Sequence, residues 1–327
     1  MDNQRMPKIV FMGTAEFAIP SLEILIQNGY PIPAVITAPD KPAGRGQKIK
    51  FSPVKDHAIK SNLTVLQPEN LKEESFIGQL KGMNPDIFVV VAFRMLPKAV
   101  WEIPLLGTFN LHASLLPQYR GAAPINWAII NGEKETGVTT FFIDDQIDTG
   151  KIIESKRIEI NSDDNAGSLH DKLMMIGAEL VLETVNKISN GQFELKDQDQ
   201  LIQSGMELKK APKIFRDDCK ISWDEPVEKI HNLVRGLNPY PGSFTQIASP
   251  EGRLYDLKVF ETFVVEDNQI PNHSFPQLKT DGKTYLQVIC RNGIIGISKL
   301  QQEGKRRMNT EEFLRGFSIS ENWKIIG

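Results

Sequence analysis

Short apolar runs and amphipathic stretches alternate along the first half of the chain. Four runs predict strands: Lys8–Met12, Ile32–Thr37, Asp86–Ala92 and Gly107–His112. The third of these is continuously apolar, which is typical of a strand covered on both faces. Ala15–Asn28 has helical spacing, and Gly29 follows where a helix C-cap glycine belongs. The alternation predicts a doubly wound, mostly parallel α/β sheet through about residue 190.

A hairpin and a long helix complete this predicted sheet. Gly137–Asp144 alternates between apolar and polar residues, Asp145–Gly150 is typical of a turn, and Lys151–Ile160 is predicted to be the returning strand. Ser168–Ile188 is rich in Leu, Met, Ile and Val and predicts a helix.

The pattern changes after residue 190, where polar residues have linker character. From Ala211 onward, short strand-like runs separated by Pro, Gly and Asp turns predict a smaller β-rich domain. We therefore predict an N-terminal domain at 1–190, a linker at 191–209 and a C-terminal domain at 210–327.

Length and composition are those of an ordinary globular protein of two domains, with 327 residues, 40% hydrophobic and 24% charged. No apolar run approaches the roughly 20 residues that cross a bilayer. The first residues carry no apolar signal segment, so we expect a cytoplasmic protein. Cys219 and Cys290 lie far apart and make no disulfide framework, and no Cys/His spacing predicts a metal site.

Two basic clusters stand out against the net charge of -3. One contains Lys41, Arg45, Lys48 and Lys50, and the other contains Lys299, Lys305, Arg306 and Arg307. The first cluster overlaps a segment rich in Pro, Gly and basic residues, Ala38–Gln47, which is predicted to be a loop. Such clusters are usually solvated surface, so nucleic-acid contact is one of two open interpretations.

Asn110 and His112 are the first candidates for chemistry. They lie two residues apart in a predicted strand and therefore share one face. An amide and an imidazole that converge can hold a carbonyl oxygen as negative charge develops on it. The Pro/Gly loop at 117–124 suits contact with a ligand. The combination indicates acyl-type transfer, although a histidine beside apolar residues is also typical of a buried structural group.

Asp148 is the third candidate, in an acidic turn after the following strand. A carboxylate near an imidazole would fix its tautomer, but spacing alone does not show that Asp148 reaches His112. Ser114 does not lie in the Gly-x-Ser-x-Gly motif of serine hydrolases, and its hydroxyl is expected to hydrogen-bond the backbone. Direct attack by a substrate amine therefore fits better than a covalent intermediate. Gly13 is not followed by the second and third glycines of the dinucleotide-binding motif, so a dinucleotide site is disfavoured.

Several motifs resemble the folate-dependent formyltransferases. They are Asn110-Leu111-His112, Ser114–Pro124, Glu135–Thr139 and Asp148-Thr149-Gly150. Three further segments resemble the branch of the family that acts on initiator methionyl-tRNA: Phe11–Ala18, Pro39–Gly46 and Leu237–Gly242.

The resemblance implies a Rossmann-like formyltransferase fold with an OB-like C-terminal barrel. It implies 10-formyltetrahydrofolate as co-substrate and, as acceptor, the α-amino group of initiator methionyl-tRNA, for translation initiation. Asn110 and protonated His112 would stabilise the oxyanion. Asp148 would keep His112 charged and help to move the proton of the attacking amine.

The resemblance also implies binding residues. Ser114, Leu115, Leu116 and Pro117 would line the folate site, with Phe93, Met95 and Leu96 beside the pterin. The Leu116–Pro117 bond is expected to be cis. Val91–Pro97 departs from the family, because it is one residue shorter and lacks a glycine. Contacts with tRNA would come from Lys41, Arg45, Lys48, Lys305, Arg306 and Arg307.

Three alternatives stay open at this point. The acceptor is the amine of a nucleotide sugar, or the acceptor is water and the protein hydrolyses formyltetrahydrofolate, or the chain is an RNA-binding module with a vestigial catalytic domain. The complete set of Asn110, His112 and Asp148 argues against the last. We expect a monomer without metal or membrane contact.

Overall fold

The computed structural model describes residues 5–43, 48–265, 276–320 and 322–326, with only the backbone at 41–43 and 48–50. The strands are β1 Ile9–Gly13, β2 Ala34–Ile36, β3 Lys41–Ala43, β4 Lys48–Lys50, β5 Val65–Leu66, β6 Ile87–Val91, β7 Thr108–His112, β8 Arg120–Gly121, β9 Glu135–Phe142, β10 Ile152–Glu159, β11 Lys210–Ala211, β12 Ser243–Ala248, β13 Leu254–Val265, β14 Gln277–Thr280, β15 Leu286–Cys290, β16 Gly293–Gln302, β17 Met308–Asn309 and β18 Lys324–Ile326. The α-helices are α1 Ile19–Gln27, α2 Pro53–Lys60, α3 Glu74–Gly82, α4 Lys98–Trp101, α5 Pro124–Ile130, α6 Ala166–Asn190, α7 Val227–Gly236 and α8 Thr310–Gly316.

The first of two compact units comprises Met1–Gly121, Thr136–Ile158 and His170–Lys210. Within its described residues, seven strands form one sheet in the order β10-β9-β7-β6-β1-β2-β5. The five from β7 to β5 are parallel, and β9 is antiparallel to β7. The predicted doubly wound, mostly parallel sheet is therefore confirmed.

The chain order reverses between β1 and β6, which are neighbours at the centre of this sheet. Every residue of both strands is buried, which explains their uninterrupted apolar sequences. In open α/β sheets, ligands bind beyond the carboxyl ends of the strands at such a reversal. Register places Val90 opposite Asn110, so β6 and β7 end together at that edge.

Two predicted elements differ locally from the structure. The first residues of the predicted helix Ala15–Asn28 form a 3-10 turn at Glu16–Ala18, and α1 begins only at Ile19. Gly29 ends it with a φ of 75°, as the C-cap pattern predicted.

The predicted loop Ala38–Gln47 is wrong in part, because the backbone forms a short hairpin in which Lys41 lies opposite Lys50. Strands of three residues around Pro and Gly carry no apolar alternation that could have predicted them.

The second unit comprises Ala122–Glu135, Glu159–Leu169 and Ala211–Gly327. Its described strands form an antiparallel, barrel-like sheet in the order β14-β15-β16-β13-β12-β18, and β17 pairs with β16. The predicted β-rich C-terminal fold is confirmed. Trp223 is buried in the core of this unit, and its indole Nε1 donates to Thr245 Oγ1 at 2.8 Å.

The two units do not divide the chain at a single point, since 122–135 and 159–169 belong to the second. The domain limits expected from the sequence, 1–190 and 210–327, stay a prediction. None of the described helices is both long enough and apolar enough to span a bilayer.

We predict opposite effects on stability for two glycine-to-alanine changes in the first unit. A Cβ at Gly137 would lie 2.1 Å from the carbonyl oxygen of Lys156, so Gly137→Ala forces β9 and β10 apart and costs about 1–3 kcal/mol. Gly78 is exposed within α3 and has nothing within 4 Å of that position, so Gly78→Ala raises stability by about 0.5–1 kcal/mol. Urea unfolding followed by circular dichroism measures both, and equal midpoints for the two variants would contradict the prediction.

Candidate active site

Asn110 and His112 lie on one face of β7 at the edge where the parallel strands end. His112 is buried, and Asn110 is half-buried. No residue in the described part of the chain hydrogen-bonds to the side-chain amide of Asn110. That amide is therefore available to a ligand oxygen at the end of the sheet.

The imidazole of His112 is engaged on both nitrogens. Nε2 lies 2.8 Å from the backbone carbonyl oxygen of Tyr119. Because a carbonyl can only accept, Nε2 carries the proton of this bond. Nδ1 faces Asp148, 3.8 Å from Oδ2, which is an ion-pair distance rather than a hydrogen bond. The structure thus brings together the imidazole and carboxylate whose proximity the sequence left open.

Asp148 is anchored through its side chain and its backbone. Its Oδ2 accepts the backbone N–H of Gly121 at 2.9 Å. Its own φ is 57°, in the left-handed region that Asp tolerates better than most residues. The backbone carbonyl of Asp148 accepts a hydrogen bond from Gln198 Nε2 at 2.9 Å. The carboxylate is therefore presented to His112 from a turn fixed at two points.

Gln198 is a positioning residue that the sequence did not reveal. It is 1% exposed, and besides Asp148 its Nε2 also donates to the carbonyl of Gly150 at 2.8 Å. Its Oε1 accepts from Nε and Nη2 of Arg120 at 2.9 and 2.7 Å. Gln198 falls within the polar stretch 191–209, where composition predicts a linker and nothing marks one glutamine as buried.

The segment after β7 is held by backbone contacts. Ser114 Oγ donates to the carbonyl of Gln118 at 2.6 Å, which is the backbone hydrogen bond expected from the sequence. Thr139 Oγ1 donates to the carbonyl of Ser114 at 2.7 Å and accepts from the N–H of Leu116 at 3.3 Å. The expected cis bond between Leu116 and Pro117 is present. Leu116 itself is buried, whereas Leu115 is half-buried.

The segment after β6 lies at the same edge of the sheet. Ala92 opens it with a φ of 48°. Of the predicted pterin contacts, Phe93 is half-buried, Met95 is exposed, and the side chain of Leu96 packs in the apolar core. Among the residues that the structure describes, the backbone groups of 93–96 have no hydrogen-bond partner. These backbone N–H and C=O groups are therefore available to hydrogen-bond a ligand.

Arg94 attaches this segment to the backbone just after β5. Its Nη1 donates to the carbonyl of Glu69 at 2.9 Å, and its Nη2 donates to the carbonyl of Pro68. Burial lowers the pKa of the guanidinium, and its Nε is buried without a hydrogen-bond partner. These bonds occur where the sequence departs from the family pattern.

The predicted tRNA contacts lie in two places. Arg45 falls outside the described residues, and for Lys41 and Lys48 only the backbone is described. Arg306 pairs with Glu312 at 3.2 Å. Arg307 lies 3.4 Å from the centre of the Phe260 ring.

The thiols offer no reactive centre. Cys219 and Cys290 are free and buried in the second unit. Burial raises the pKa of Cys290 to about 12 and is also the main cause of a raised pKa for Cys219. In the described ranges, no three His, Cys, Asp or Glu side chains gather as metal ligands would.

An amide, an imidazole and a carboxylate gathered at the end of a mostly parallel sheet are groups that suit the transfer of acyl-type groups. The family model for formyl transferase matches residues 7–185, and the model for the formyl transferase C-terminal domain matches 213–318. The chain belongs to the formyl transferase family.

Relatives of known activity are similar over nearly the whole chain. The methionyl-tRNA formyltransferase of Bacteroides thetaiotaomicron is 50% identical over 319 residues, which are 97% of this chain and 98% of that protein. The enzyme of the same name from Azobacteroides pseudotrichonymphae is 51% identical over 312 residues, 94% of this chain and 95% of that protein.

Solved structures share the fold at lower identity. WlaRD, a sugar 3N-formyl transferase determined with dTDP and 5-N-formyl-THF, has a TM-score of 0.65 and 22% identity, covering 92% of this chain and all of its own. HypX from Aquifex aeolicus has a TM-score of 0.63 and 16% identity, covering 97% of this chain and 49% of its own.

We predict that Gln198→Met destabilises the first unit by about 1–3 kcal/mol. Methionine keeps the length of the side chain but leaves the buried carbonyls of Asp148 and Gly150, and the guanidinium of Arg120, without their partner. Gln203→Met is the matched control, because Gln203 is exposed and its replacement stays within about 0.5 kcal/mol of neutral. Urea unfolding separates the two, and a Gln198→Met protein as stable as the control would show that these bonds do not support the turn.

Proposed function

We propose that this protein transfers the formyl group of 10-formyltetrahydrofolate to the α-amino group of methionine on initiator tRNA, and that it acts as a monomer. The observation that carries the proposal is identity of about 50% with methionyl-tRNA formyltransferases along 97% of the chain. The similarity includes the second unit as well as the first.

The edge of the sheet suits a folate donor. The backbone groups of 93–96 are free to bond the donors and acceptors of a flat heterocycle. Phe93 and Met95 present partly or fully exposed apolar surface beside those groups. Ser114–Pro117 follows β7, the strand paired with β6, and so begins at the same edge of the sheet as the proposed folate site.

Asn110 and His112 supply the electrostatic part of catalysis. When bound, the donor supplies a formyl carbonyl whose oxygen gains negative charge as the amine attacks. The amide of Asn110, which no described residue hydrogen-bonds, donates to that oxygen. The positive charge of a protonated His112, whose Nε2 is held by Tyr119, stabilises the developing negative charge.

Asp148 supplies the charge that balances a protonated His112 and a route for the proton. Its Oδ2 faces Nδ1 while the N–H of Gly121 holds it in place. The carboxylate takes the proton that the attacking amine loses, directly or through water, and returns it toward the departing nitrogen.

We predict that alanine at Asn110, His112 or Asp148 lowers kcat by about 10²–10⁴ and leaves the affinity for tRNA nearly unchanged. Asp148→Asn separates charge from position, because an amide oxygen still accepts the N–H of Gly121 but carries no charge toward His112. Single-turnover formylation measures the effect. A His112→Ala enzyme with near-normal turnover would contradict these roles.

The acceptor is tested by supplying labelled 10-formyltetrahydrofolate with three acceptors in turn. We expect label in methionyl-tRNA, none in a dTDP-linked amino sugar and slow release to water. Unacylated initiator tRNA is the control, because it presents the same RNA without the amine. Rapid loss of label to water, or transfer to the sugar in preference to methionyl-tRNA, would assign the protein to one of the alternative activities.

A further inference from the structure

A cavity of about 620 Å³ opens on the surface of the second unit, and its lining includes none of the candidate catalytic or folate-binding residues. Its lining includes aromatic rings, two cations and two side-chain amides: Phe215, Tyr240, Arg216, Lys258, Gln301 and Gln302. Its volume falls in the range of small-ligand sites. Tyr240 comes from the segment Leu237–Gly242, which the sequence singles out and the catalytic mechanism does not use.

Two large aromatic side chains at this cavity are left uncovered. Tyr240 is 82% exposed and Phe215 is 63% exposed. One exposed ring is ordinary, but two rings on the same concave surface form an apolar platform that a planar partner can cover. A third ring, Phe244, is half-buried beneath the guanidinium of Arg216 at 5.5 Å.

Three cations lie in or beside the cavity lining. Within the described residues, Lys213, Arg216 and Lys258 have no carboxylate at ion-pair distance. Lys213 instead lies 5.7 Å from the centre of the Phe215 ring, and Lys258 donates to the carbonyl of Pro241 at 3.0 Å.

Other cations of the same unit do have partners, as Lys299 has Glu261 at 2.6 Å and Arg306 has Glu312. The lining cations lie beside two lining carboxylates, Asp256 and Glu303, and the exposed Lys305 follows the lining residue Gly304. A cation without a carboxylate at ion-pair distance is available to an anion such as phosphate.

Polar groups inside the cavity can read the edge of a base. Gln301 is occupied, since its Nε2 donates to the carbonyl of Lys305 at 2.6 Å. The half-buried amide of Gln302 has no hydrogen-bond partner among the residues described. Of the two lining carboxylates, Asp256 accepts from Gln246 at 2.7 Å and Glu303 is exposed.

From these features we infer that the cavity binds one unpaired nucleotide of an RNA. The base stacks on Tyr240 and Phe215, the amide of Gln302 bonds its edge, and the flanking phosphates meet Lys213, Arg216 and Lys258. Stacking on aromatic rings beside cations is how proteins hold single-stranded nucleotides. The inference rests on the proposed function only in taking the RNA to be the initiator tRNA.

The test measures binding of the full-length protein to an initiator tRNA transcript by fluorescence anisotropy at several salt concentrations. Tyr240→Ala and Phe215→Ala should each weaken binding about 5- to 100-fold, while the slope of log affinity against log salt stays unchanged because no charge is lost. Lys213→Gln should reduce that slope by about one. Tyr240→Trp should bind within twofold of the parent protein, because the stacking surface is kept.

Phe263→Ala is the matched control, because Phe263 is a 48% exposed ring of β13 outside the cavity lining. Its affinity should stay within twofold of the parent, with thermal melting as a check on folding. Equal affinities for Tyr240→Ala and Phe263→Ala would overturn the inference. Binding of AMP or UMP at the cavity without any effect of Tyr240→Ala on tRNA would also overturn it, in favour of a free nucleotide.

Failure of the inference is distinguishable from failure of the proposed function. A parent protein that formylates methionyl-tRNA while Tyr240→Ala binds it normally keeps the function and rejects the cavity. A parent protein that binds the transcript through Tyr240 but formylates no methionyl-tRNA keeps the cavity and rejects the function.

Discussion

Parallel pairing of β6 with β7 brings the ends of two buried strands to one edge of the sheet, where the candidate active site lies. Register sets Val90 beside Asn110, so the segment after β6 and the face that carries His112 open in the same direction. The reversal of strand order next to β6 leaves that edge uncovered by a crossover. A one-residue change of register would turn Asn110 and His112 to the opposite face.

The polar groups at this edge constrain one another. His112 is fixed by the carbonyl of Tyr119, and Asp148 by the N–H of Gly121 and by Gln198. A left-handed backbone at Asp148 costs about 1 kcal/mol, and several hydrogen bonds of comparable worth offset it. The imidazole of His112 and the carboxylate that faces its Nδ1 are therefore positioned before substrate binds, which suits electrostatic catalysis.

In the second unit, some cations form ion pairs and others do not. Lys299 and Arg306 are paired with carboxylates, whereas Lys213, Arg216 and Lys258 are left unpaired beside exposed rings. Net charge by itself says little about nucleic-acid contact, because the relevant quantity is the spatial distribution of the charges.

The sequence by itself determined the parallel sheet, the β-rich second part, and the shared face of Asn110 and His112, because periodicity and burial act over a few neighbouring residues. It also predicted the end of α1 at Gly29, a local backbone requirement. Only the tertiary structure decided that Asp148 faces His112 and that Gln198, 50 residues further along, holds its turn. The sequence likewise did not predict the hairpin of β3 and β4 or the cavity around Tyr240. Such contacts join residues distant in the chain, and no local pattern encodes the fold that brings them together.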